Sequence, residues 1–224
     1  MTQSIPLINK NDGFETVRDA IASILATETA AQQVLAAAAG QDPDDYKFRV
    51  FAERAAPWEI FGSDDVTPIV NVWFDGSNYD PSTSNVSTRQ KGTSRFNIDV
   101  YSRAVSTETE GGHSPGDEAA AKAAHNAAKL VRNILMHDKY KYLGLQGTVW
   151  RRWLTSLTTF QPGAGTLPVE NVVAVRLALE VDHNETIDLE DHEILEIVNV
   201  KMYHDSVDGQ LIAELQFGEE DEGE

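Results

Sequence analysis

The chain has 224 residues, 41% of them hydrophobic and 24% charged, with no cysteine and a formal net charge of −18. That length allows one sizeable core plus a small appendage, and the apolar share is that of a folding, globular sequence. Disulfides, thiolate zinc sites and a cysteine nucleophile are excluded, and wrapping of DNA is disfavoured because phosphate binding depends on lysine and arginine replacing counterions.

Residues 12–39 carry Phe14, Val17, Ile21, Ile24, Leu25, Val34 and Leu35 close to helical spacing, with Asp12 as N-cap and Gly40 and Pro43 ending the helix. Two strands follow: KFRVFAE, with Phe48, Val50 and Ala52 on one parity, and IVNVWF, with Val70, Val72 and Phe74 on one parity. Next comes DGSNYDPSTSNVSTRQKGTS, about twenty residues of turn formers that predict a long functional or mobile loop with a basic end at Arg89, Lys91 and Arg95. The strand RFNIDVYSRA then places Phe96, Ile98, Val100 and Ala104 on one face. Arg95, Asn97, Asp99 and Arg103 fall on the other, which is expected to be wet.

HSPGDEAAAKAAHNAAKLVRNILMH opens a second helix, with Ser114 as N-cap, Pro115 at the first helical position and Asp117 and Glu118 in the first turn. Ala120, Ala123, Ala124, Ala127, Val131, Ile134 and Leu135 form its buried stripe, whose small residues let it lie close to a sheet. TVWRRWLTSLTTFQP has partly helical spacing, yet its threonines and aromatics favour a strand. It is expected to form a long antiparallel hairpin with NVVAVRLALEVDH, whose Val173, Val175, Leu177, Leu179 and Val181 make one unbroken apolar face. ILEIVNV and QLIAELQF, with Asp208 and Gly209 between them, predict a second hairpin, and the chain closes on an acidic tail. The fold class is therefore α+β: a mainly antiparallel sheet with two helices packed on it, plus a C-terminal hairpin extension. The expected division is 1–185, 186–218 and 219–224.

The charge is uneven. Residues 182–224 hold fifteen acids against the single base Lys201, while the remainder is nearly balanced. No P-loop, nucleophile elbow or zincin motif occurs, and GAG at 163–165 lacks the strand-to-helix context of a dinucleotide site. The best metal candidate is Asp182, His183, Glu185, Asp188, Asp191 and His192, where oxygen ligands and imidazoles crowd together; a solvated acidic loop is the plainer alternative. DGSNYD resembles a calcium loop only in composition. His125 and His137 do not share a helix face.

Trp150, Arg151, Arg152 and Trp153 allow two readings. Tryptophan and arginine dominate interface anchors. Equally, the tryptophans can cover a core edge while the arginines pair with acids such as Glu180 or Asp182 on the next strand. A stacking platform for nucleic acid is a third, weaker reading in so acidic a chain. The N-terminal MTQSIPLINKNDGF has no basic flank or apolar run of signal-peptide length, so assembly in a cytoplasm is the expectation.

The order helix, three strands, helix, long hairpin resembles the tail-terminator or neck proteins of long-tailed bacteriophages. The stretches that carry the likeness are VNVWFDGSNYD, FNIDVYSRAVS, GDEAAAKAAHNAAKLVRNIL and YLGLQGTVWRRWLTSLTTFQP, spanning roughly residues 10–185. The resemblance implies a non-enzymatic virion protein without cofactor. Its subunits would form a homohexameric ring between the head-side connector or collar and the tail tube, with a sheath protein as a further candidate partner. DNA would pass through the bore without sequence-specific binding. Interface residues on this reading are Arg89, Lys91, Arg95, Trp150, Arg151, Arg152 and Trp153. The rivals are a metal-dependent hydrolase using the 182–192 cluster and an acidic adaptor that mimics nucleic acid.

Overall fold

The computed structural model describes residues 13–61, 66–81, 89–109, 112–162, 171–186, 198–203 and 211–217. In chain order the elements are α1 (Phe14–Ala38), β1 (Arg49–Ala52), β2 (Ile69–Tyr79), β3 (Arg89–Arg103), β4 (Thr107–Thr109), β5 (Gly112–Ser114), α2 (Gly116–Met136), β6 (Val149–Phe160), β7 (Val172–Thr186), β8 (Val198–Tyr203) and β9 (Leu211–Phe217). One sheet has the order β1-β2-β3-β7-β6, in which β1 is parallel to β2 and every other pair is antiparallel. Two smaller pairings, β4 with β5 and β8 with β9, stand as separate sheets. The chain divides into two compact units, one of residues 9–187 and one holding residues 188–224.

Strand alternation builds the main core. Val70 and Val72, Phe96, Ile98 and Val100, and Val173, Val175, Leu177, Leu179 and Val181 all turn to one face. Val17, Ile21, Ile24 and Leu25 of α1 and Ala120, Ala124, Val131 and Leu135 of α2 close over them, which makes this an α+β fold with both helices on one side. The alanines of α2 keep its backbone close to β3 and β7. At the helix start, a side chain on Gly116 would meet the backbone of Ser106 and Ala104 at 2.9–3.0 Å, so only glycine fits there.

Several local expectations give way to tertiary structure. Both ends of the expected long loop after Phe74 are strand, with β2 continuing to Tyr79 and β3 beginning at Arg89, while 82–88 lie outside the described residues. The polar residues there pair in the ladder, Ser77 against Ser94 and Asn78 against Thr93, once a register shift between Phe74 and Gly76 absorbs the extra residue. DGSNYD is thus largely strand rather than a cation loop. Gly13, not Asp12, occupies the α1 N-cap, and Asp12 lies outside the described residues. At α2 the cap position falls to Pro115, while Ser114 ends β5 and the Ser106 hydroxyl accepts from the Gly116 N–H at 3.1 Å. Val34 and Leu35 are 70% and 59% exposed, because the last turns of α1 bury only Ala36.

Glu28 ties α1 to the segment after α2. It accepts hydrogen bonds from Lys139 Nζ at 2.7 Å and from the Tyr140 hydroxyl. The Lys139 and Tyr140 hydrogen bonds pull its carboxyl down to about 2, overcoming the opposite effect of burial. A depressed carboxyl stabilises the fold above its unfolded pKa and loses that contribution as pH falls through the folded value. Urea midpoints measured from pH 5 to pH 2.5 should therefore fall more steeply for the native chain than for Glu28→Gln. Parallel curves would refute this assignment.

Candidate interaction surface on the sheet face opposite the helices

The face of the sheet opposite the helices holds most of the residues that the sequence marks. Its rows follow from register: Asn71, Asp99, Arg176 and Thr158 lie side by side, as do Ile69, Tyr101, Ala174 and Phe160. The second row seats a small apolar cluster of Ile69, Tyr101 and Ala174, flanked by Phe51, Trp58, Ile60, Phe61 and Phe160. Beside it Asp99, only 1% exposed, accepts from Arg176 Nε at 2.7 Å, Arg176 Nη2 at 2.8 Å, Trp73 Nε1 at 3.0 Å and the Tyr101 hydroxyl at 3.2 Å. The Arg176 guanidinium stacks 4.8 Å from the Trp73 ring and 5.0 Å from Phe160. Burial, then the nearby Asp99 charge, pushes the Tyr101 phenol upward. A groove of about 510 Å³ opens over this network, lined among others by Arg54, Trp58, Trp73, Phe160 and Arg176.

The expectation of a wet face on β3 therefore fails at its centre. Asn97 and Asp99 are buried: Trp73 and Arg176 from the neighbouring strands and Tyr101 from β3 itself all donate to Asp99, and Asn97 stands in register with Trp73 and Ala178. The charged pattern was visible in the sequence. The cross-strand register that pairs Asp99 with Arg176 was not.

At the other end of the face, Arg151 Nε meets Asp182 Oδ2 at 2.9 Å, and Thr93 Oγ1 donates to Asp182 Oδ1 at 2.6 Å. The Arg151 guanidinium lies 4.4 Å from the Trp153 ring, Lys91 Nζ lies 5.1 Å from the Trp150 ring, and Arg95 Nε is 3.4 Å from Asp75. Lys91, Arg95, Arg151 and Trp153 thus gather on one surface, with Trp150 joined to them at the register shift between Val149 and Arg151. Arg89 stands opposite Thr186 in the same ladder. Arg152 departs from the group. It points to the helix side and donates to the carbonyls of Leu135, His137 and Lys141 at 2.6–2.8 Å.

The same alternation separates the proposed metal ligands. Asp182 faces Arg151, whereas His183, its neighbour, is fully buried and hydrogen-bonded through Nε2 to Ser94 Oγ at 2.6 Å. Ser94 in turn lies 2.5 Å from Ser77 Oγ, and burial lowers the His183 pKa. Glu185 accepts from the Tyr79 hydroxyl at 3.1 Å. Adjacent residues on opposite faces cannot share one ion; Asp188, Asp191 and His192 lie outside the described residues. His125 meets Thr159 at 3.2 Å and His137 accepts from the Lys139 N–H at 3.1 Å, so neither belongs to the surface cluster.

No family model matches the sequence. No curated protein matches it significantly either.

Proposed function

We propose that the chain is a structural, non-enzymatic subunit of a homohexameric ring at the head–tail junction of a long-tailed bacteriophage. The ring caps the tail tube, offers the docking surface for the head-side connector or collar protein, and lets DNA pass. The observation that carries this reading is that, among the described residues, two unlike strands, β1 and β6, form the edges of one sheet. Ring closure needs two lateral surfaces that fit each other but not themselves. β1 is a four-residue strand beside the apolar Trp58 and Phe61 cluster, whereas β6 is twelve residues long with basic and aromatic residues at one end. Such surfaces suit a head-to-tail contact better than a two-fold one. The α+β fold is also the one the family resemblance implies.

The net charge of −18 supports passage of DNA without adhesion. Virion neck or tail is the corresponding location. Native mass spectrometry with electron microscopy of the purified chain plus its tail-tube protein is the test. A six-membered ring seated on the tube end is the expected result. A monomer at all concentrations, with or without tube protein, would overturn the proposal.

A further inference from the structure

Lys122, His125, Lys129, Arg132 and Met136 recur along α2 at helical spacing and are all exposed, so they form one outward stripe. Between residues 119 and 137 the sequence has three lysine or arginine residues and no acid, an exception in a chain of net charge −18. Lys122 pairs with Glu118 one turn back at 2.6 Å, but among the described residues no acid reaches Lys129 or Arg132. His125 joins the stripe to the sheet edge through its contact with Thr159 of β6 at 3.2 Å. On the same face of β6, Leu157 is 53% exposed although its ladder partner Leu177 is fully buried. This side of the molecule therefore sets unmatched cations beside the exposed apolar side chains of Leu157 and Met136.

The converse surface belongs to the end of α1 and the short 3-10 helix that follows it at Pro43–Tyr46. Val34 and Leu35 are 70% and 59% exposed there. The solvent face of a helix normally carries charge. Between Asp19 and Asp42, however, the one charged residue is Glu28, and it is buried against Lys139 and Tyr140. Beside this uncharged end stand Asp42, Asp44 and Asp45, all exposed, with Lys47 pairing to Asp44 at 3.6 Å. An apolar end rimmed by acids complements an apolar edge rimmed by bases. α1 packs over β1 and β2 and α2 over β3 and β7, so the two surfaces lie toward opposite edges of one sheet. Fixed in this way within one compact unit, they can meet only between chains.

We infer that the α2–β6 side of one subunit docks on the α1 end of the next, so that Lys129 and Arg132 meet the acids at Asp44 and Asp45 while Leu157 and Met136 cover Val34 and Leu35. The occupant is a second copy of this chain, because each surface carries the charge that the other lacks. Two α2 stripes set face to face would oppose base to base, so the contact is head-to-tail and not two-fold. This inference rests on the ring reading and names the lateral contact that closes the ring.

Charge reversal in the full chain is the test. Lys129→Glu with Arg132→Glu sets acid against acid across the contact, and Asp44→Lys with Asp45→Lys sets base against base. All four side chains are exposed, so neither change disturbs the core. Each variant alone should need at least about tenfold more protein for half-assembly, because like charges facing across an interface are costly. An equimolar mixture should regain native assembly, with the two chains alternating around the ring in native mass spectra, and a chain carrying all four changes should assemble by itself. An unfolded variant could not give that rescue. Native assembly by either variant alone would overturn this contact and leave the ring reading intact, as would a loss that mixing does not restore. Intact rings that lose binding to duplex DNA on reversal of Lys129 and Arg132 would assign the stripe to nucleic acid instead. A native chain that stays monomeric, with or without tube protein, would remove the ring reading and the contact together.

Discussion

Replacing Arg152 by methionine is expected to lower the unfolding free energy by about 3 kcal/mol, while the same change at Arg151 costs less than about 1 kcal/mol. The two residues are neighbours in one strand, yet they do different things. Arg152 spreads its guanidinium over three carbonyls, those of Leu135, His137 and Lys141, at 2.6–2.8 Å. Two of these lie at the C-terminal end of α2, where helix carbonyls have no intrahelical partner and a cation also opposes the negative end of the helix dipole. Burial lowers the guanidinium's pKa, a sign of the desolvation that those hydrogen bonds must offset. Arg151 has one ion-pair partner among the described residues, Asp182, and its side chain is 66% exposed, so solvent screens the pair. Urea denaturation of both variants reads the difference. Equal losses would show that Arg152 does not anchor the helix end.

Asp99→Ala should be about as damaging, at roughly 3 kcal/mol, because it strips four donors of their shared acceptor. Removing one member of a buried pair leaves the other uncompensated. Arg176 is 34% exposed on its side chain, so water relieves part of that penalty and the cost sits at the low end of the usual range. The double variant Asp99→Ala with Arg176→Ala is expected to lose less than the sum of the single changes by at least about 1 kcal/mol, since the two act as a unit. Additive losses would mean that the aromatic lining, not the ion pair, holds this part of the face. Trp73 donates to Asp99 and stacks on Arg176, so its fluorescence gives a local signal beside the global denaturation curve.

Periodicity alone determined the main elements. The alternation of Phe96, Ile98 and Val100 and of Val173 through Val181 specified two central strands and their buried face. The spacing of Ala120, Ala124, Ala127 and Val131 specified α2 and its small-residue stripe, and the segments around Trp153 and Leu177 specified an antiparallel hairpin. These signals are local: each depends only on residues within a few positions, so a sequence carries them in full. Strand alternation also sets Arg151 and Arg152 on opposite faces, so the expectation that both arginines meet acids on the next strand holds for Arg151 and fails for Arg152.

What lay on either side was decided only by tertiary structure. Asp182 and the Leu135, His137 and Lys141 carbonyls come from separate parts of the chain, and no spacing in β6 encodes their approach. The insertion of β7 between β3 and β6 pairs Asp99 with Arg176 across 77 positions, turning an apparently wet face into a buried network. Both ends of the polar run after Phe74 became strand because they pair with each other, overriding its turn-forming composition. Likewise the apolar pattern of α1 continues through Val34 and Leu35, but burial there depends on whether another surface reaches them, and among the described residues none covers either side chain. A helix or strand is a property of a segment; which of its faces is dry is a property of everything packed against it.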